Sequence, residues 1–138
     1  MSEPDVILTA LGGVTNLVVF DGHVTDSDDE AKTIGAPLPY VVYYSLTQTP
    51  SVGDSLAGTS GAQLQDFQVS FVGETREQAD WARDKARSVL DRKQLTFAAG
   101  SRLVRRSDDG LGARRDDTWS RPDGGPLFVG ADRYDVVV

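Results

Sequence analysis

Four carboxylates crowd into five residues, Asp26, Asp28, Asp29 and Glu30, and a bound cation is the first chemistry they suggest. A hard cation such as Ca²⁺ or Mg²⁺ needs several oxygens converging on one point. This run lacks the central glycine and the distant bidentate Glu of an EF-hand loop, so it reads as a solvated acidic loop. Asp21 and His23 lie close by, yet one His beside scattered carboxylates is not a metal-ligand pattern. His23 is the only histidine, and any Ser–His–Asp mechanism would have to use it. Gly58-Thr59-Ser60-Gly61 does not supply its serine, because a nucleophile elbow separates the serine from the following glycine by one residue. The glycines at 53, 58 and 61 precede no Gly-Lys-Ser/Thr and open no GxGxxG turn, so they form no phosphate cradle. No catalytic residue, cofactor-binding residue or metal ligand is therefore assigned. The chain is expected to be no enzyme and to need no cofactor.

The second group of reactive side chains is basic and aromatic: Arg102, Arg105, Arg106, Arg114, Arg115 and Arg121, with Trp119 among them. Arginines with a stacking indole suit a nucleic acid. Asp108, Asp109, Asp116, Asp117 and Asp123 interleave with them, however, and the whole chain is acidic, with a pI near 4.5. Phosphate attraction is then weak, and no specific nucleic-acid binding is expected. Arg and Trp are also favoured anchors of protein interfaces, which makes these residues candidate contacts with a partner protein. Trp81 joins them. On a helix it points away from the apolar stripe, either under a loop of its own chain or into a subunit contact.

These residues hang on a legible order of elements. Residues 3–11 suit a short helix, with Pro4 in its first turn and Gly12-Gly13 to stop it. Strands are predicted near 16–20, 39–46, 64–73 and 127–137, joined by an acidic loop at 23–38 and a Gly/Ser/Thr/Pro loop at 47–61. The 39–46 strand is apolar on both faces and should be central. In the 64–73 strand Phe67, Val69 and Phe71 alternate with Gln68 and Ser70. Thr75 with Gln78 three residues on marks a helix start, and Ala79, Ala82, Ala86, Val89 and Leu90 form one stripe to about Lys93. That helix is expected to fold back over the sheet, facing Phe67, Val69 and Phe71. Residues 94–98 and 101–106 read as a short hairpin. The Gly-, Asp- and Arg-dense segment 107–125 reads as a long loop or flexible arm. The expected fold is α+β: a single sheet of mixed or antiparallel strands, one main helix packed across it, a short N-terminal helix and long loops.

Charge and composition narrow the role further. The net charge of −7 divides unequally, −9 in residues 1–75 and +2 in 76–138, which favours head-to-tail contacts of acid end on basic end. The 138 residues suit one domain, 1–138. Absence of cysteine excludes disulfides, thiolate metal sites and a cysteine nucleophile, and fits a reducing compartment. Glu3 and Asp5 stand where a signal peptide would be basic, and no apolar run is long enough to span a bilayer, so no membrane partner is expected.

Four stretches together resemble the tail terminator (tail completion) proteins of long-tailed bacteriophages. They are the short N-terminal helix; Leu17-Val18-Val19-Phe20-Asp21-Gly22-His23-Val24 followed by Pro39-Tyr40-Val41-Val42-Tyr43; Phe67-Gln68-Val69-Ser70-Phe71-Val72 running into Thr75-Arg76-Glu77-Gln78-Ala79 and on to Leu90; and a closing strand over 127–138. The resemblance covers most of 1–98 and then 126–138, and is one of pattern rather than of a sharp motif. It implies an α+β subunit of a six-membered ring on the end of the tail tube, which stops tube polymerisation and offers a surface for head joining. The implied partners are the chain itself, the tail tube protein and the head-completion or neck proteins. The implied location is the virion tail, with the host cytoplasm during assembly. Trp81, Arg102, Arg105, Arg106, Arg114, Arg115, Trp119 and Arg121 would then meet neighbouring subunits or the tube. Two other readings stand beside this one: a head-closure or neck connector, and a small metal-binding enzyme using Asp21, His23 and the acidic loop.

Overall fold

The computed structural model describes residues 3–50, 63–98 and 100–137. In chain order the elements are α1 (Glu3–Gly12), β1 (Val18–Asp21), β2 (Ser27–Asp28), β3 (Thr33–Ile34), β4 (Tyr40–Pro50), β5 (Gln63–Gly73), α2 (Arg76–Leu90), β6 (Lys93–Phe97), β7 (Gly100–Ser120) and β8 (Pro126–Val137). One mixed sheet runs β1-β4-β5-β8-β7-β3-β2, and β6 pairs with β7 off that path. β1 with β4 and β3 with β7 are parallel; the other pairings are antiparallel. The expected α+β class is what the chain adopts. The 51–62 segment, with Ser60 and the glycines at 53, 58 and 61, lies outside the described residues.

α2 begins where its cap chemistry dictates. Thr75 is extended, and its hydroxyl accepts from the Gln78 amide at 3.1 Å. The Gln78 side chain returns a bond to the amide of Glu74 at 2.6 Å, one residue upstream of a standard capping box. Ala79, Ala82, Ala86 and Leu90 are buried, and these small side chains let the helix lie close on Phe67, Val69 and Phe71. Gly73 makes the turn possible: a Cβ there would stand 2.5 Å from the Ala79 nitrogen. The helix ends at Leu90 rather than near 93. Asp91 is extended and Arg92 left-handed (φ 58°), which carries the Arg92 amide to the Val104 carbonyl at 2.8 Å and starts β6 at Lys93.

Both faces of the sheet are covered. Val41, Tyr43, Phe67, Val69, Phe71, Tyr134 and Val136 face α1 and α2. Tyr40, Val42, Val72 and Leu127 face the other way, under the segment from Val24 to Leu38 and under Trp119. β4 is thus buried on both faces and lies between β1 and β5, as its composition predicts.

The 107–125 segment is not a loop. β7 continues to Ser120, and only 121–125 turn. Few of its side chains are apolar, with Leu111 exposed and only Ala113 and Trp119 packed on the cores. Its backbone is instead satisfied by β8, from Val104 opposite Val136 to Ser120 opposite Pro126. The register slips four times between Arg106 and Ser120, with Gly110 left-handed at φ 60°. A polar strand that is solvated and bulged carries little of the alternation that marks a strand in sequence.

Candidate protein–protein interface

The predicted contact residues are not gathered at one point: six lie along β7, Arg121 is in the turn after it and Trp81 is on α2. Arg105 reaches Asp135 at 3.1 Å and Arg106 reaches Asp91 at 3.4 Å, both near the start of the strand. Arg102 donates to the Ser101 carbonyl. Arg114 and Arg115 are exposed in the bulged stretch and form no ion pair among the described residues. Arg121 is committed to its own chain: it pairs with Glu74 at 3.0 Å, and its guanidinium lies against Gly125 in the turn before β8. Trp119 is half-buried against the second core, with Lys32 Nζ 5.2 Å from its ring centroid. Trp81 packs at the margin of the first core under Lys85, 5.7 Å from its ring.

Two features escaped the sequence argument. The first is a groove on the face away from α2, formed by two adjoining pockets of about 300 and 460 Å³ that share Ser70, Asp116 and Val129. The smaller is walled by Tyr40, Tyr44, Trp119 and His23, with Asp29 at its rim; the larger is edged by Leu111, Arg114 and Arg115. Tyr40 and Tyr44 follow the i, i+4 spacing that puts both on one face of a strand, which was the available signal. Asp116 arrives from β7, which sequence had read as loop. Asp116 Oδ1 accepts from the amides of Thr118 and Trp119 at 2.7 and 2.9 Å. Burial, then the neighbouring Tyr44 and Asp116, pushes the Tyr40 hydroxyl far above its ordinary pKa; burial raises that of Tyr44 too.

The second is a buried ion pair between layers. Arg87 on α2 grips Asp132 on β8 with two bonds of 2.7 and 2.8 Å, and Asp132 is 1% exposed. The hydrogen bond to Asp132 raises the Arg87 pKa, so the guanidinium is charged throughout. The pair fixes the helix to the sheet 45 residues away in sequence. Beside it the Tyr134 hydroxyl is buried with no hydrogen-bond partner among the described residues.

Asp21, His23 and the acidic stretch are exposed, and among the described residues no three His, Asp or Glu side chains converge as metal ligands. Among those residues no helix is long and apolar enough to cross a membrane. No family model and no curated protein matches the chain. A solved structure does: its fold is shared with a chain of the "Virion of native gene transfer agent (GTA) particle", at 14% identity and a TM-score of 0.57, covering 99% of this chain and 96% of that one.

Proposed function

We propose that this chain is a structural virion protein. It caps the end of a phage tail tube, ends tube polymerisation and forms the surface to which the head is joined. The observation that carries this reading is the shared fold, over nearly the whole chain, with a component of a gene transfer agent virion. The finer assignment to the tube end rests on the sequence resemblance to tail terminators. It fits a chain with two unlike surfaces. One end, where α2 gives way to β6 and β7, carries Arg92, Lys93, Arg102, Arg105 and Arg106. Near the other end of β7, Asp29 and Asp116 line one pocket. Two such unlike patches suit a heterologous ring, hexameric in this reading, with tube and neck proteins on its two rims. Such a cap works by shape and charge, without catalysis or cofactor.

Electron microscopy of particles assembled without this protein tests the assignment. Overlong tail tubes are expected. Tails of normal length beside unjoined heads would overturn it in favour of a neck connector.

A further inference from the structure

The smaller pocket of the groove has an aromatic lining with two carboxylates. No Lys or Arg lines it, whereas Asp29 and Asp116 do. Asp116 Oδ1 is occupied by two backbone amides, and Oδ2 has no partner among the described residues. Tyr40, only 1% exposed, forms a wall of the pocket, and its hydroxyl opens to it with no hydrogen-bond partner among those residues. A donor entering the pocket can hydrogen-bond to that hydroxyl oxygen. The aromatic walls suit a planar, weakly hydrated guanidinium better than an ammonium, and Lys32 over Trp119 shows that this indole already accepts a cation on its face.

A matching donor stands near the other end of β7. Arg92 is exposed and forms no ion pair among the described residues, unlike Arg105 and Arg106 beside it. It holds a left-handed backbone (φ 58°) that a glycine would adopt without hindrance. Leu103, 42% exposed, flanks it and offers an apolar contact. We propose that the Tyr40–Tyr44–Trp119–Asp116 pocket seats the guanidinium of Arg92 from a second copy of this chain. The contact joins two different patches, so it propagates head to tail and closes into a ring or continues as a filament. This inference rests on the assembly role proposed above and names the chemistry of its subunit junction.

Sedimentation velocity on the full chain tests it with two variants. Arg92→Gly suits the left-handed backbone, and Asp116→Asn keeps the carbonyl that caps Thr118 and Trp119; circular dichroism confirms that both fold. The wild type should self-associate, and each variant alone should associate at least about tenfold more weakly, the effect of losing a desolvated charged contact. An equimolar mixture should yield dimers and nothing larger. Asp116→Asn still offers Arg92, Arg92→Gly still offers the pocket, and only one intact junction can form. Wild-type association with both variants unaffected, a mixture that stays monomeric, or a monomeric wild type would each overturn the junction. Tail length in particles lacking the protein decides the terminator reading separately, so either can fail while the other stands.

Discussion

Replacing Tyr134 by Phe should stabilise the subunit. The Tyr134 ring is fully buried, stacked on Phe67 with centroids 5.2 Å apart and planes 9° from parallel. Phe keeps that stack and removes only the hydroxyl, which has no partner among the described residues. A buried, unsatisfied hydroxyl costs about 1–3 kcal/mol. Taking the low end, Tyr134→Phe gains about 1 kcal/mol at pH 7. For 138 residues an unfolding entropy of about 2.1 cal/mol/K per residue turns that into a Tm increase of about 3 °C. The gain should grow in alkali. Burial, then the Asp132 carboxylate, raises the folded-state pKa of Tyr134 well above its ordinary value. The neutral phenol is therefore the form the fold favours. Its contribution is complete below about pH 10, where the unfolded tyrosine titrates, and is lost as pH rises beyond that. Above about pH 10 the wild type loses about 1.4 kcal/mol per pH unit through this one group. At pH 11 the advantage of the Tyr134→Phe variant should reach about 2 kcal/mol, because Tyr40 and Tyr44 titrate alike in both proteins and cancel. Urea unfolding of the dilute subunit at pH 7 and pH 11, followed by circular dichroism, measures both numbers. A loss of about 1 kcal/mol or more at pH 7 would mean that the hydroxyl has a partner, and an advantage that does not widen by pH 11 would refute the titration argument.

Asp132→Ala leaves the Arg87 guanidinium partly buried without its bidentate partner, and about 3 kcal/mol of stability should disappear in the same unfolding assay. Asp132→Asn, which can still accept one hydrogen bond, should fall between that variant and the wild type. Gly130→Ala places a methyl group against the Phe71 ring and 2.6 Å from the Leu111 carbonyl oxygen. We expect a loss of about 2 kcal/mol from this overpacking, with amide hydrogen exchange quickening first along the bulged half of β7.

The local chemistry of the chain determined much of the fold before any tertiary contact was considered. Thr75 and Gln78 set the start of α2. The alternation of Phe67, Val69 and Phe71 set the buried face of β5, and the doubly apolar run from Tyr40 placed β4 inside the sheet. Each signal acts within a few residues, through a cap bond or a period of two, so sequence carries it directly. The 107–125 segment is the opposite case. Its order comes from hydrogen bonds to β8 and from Trp119 packing on the second core, and neither leaves a periodic trace in a strand that is bulged and solvated. The candidate site divides in the same way. The arginines from 102 to 121 were visible as residue types, yet only the fold separates Arg121, paired with Glu74, from Arg114 and Arg115, which face solvent. The Arg87–Asp132 pair joins residues far apart in the chain, and the Tyr40 pocket exists only because β7 carries Asp116 across to β4. Which charges are neutralised within the subunit and which are left for a neighbour depends on such long-range placement, which tertiary structure alone decides.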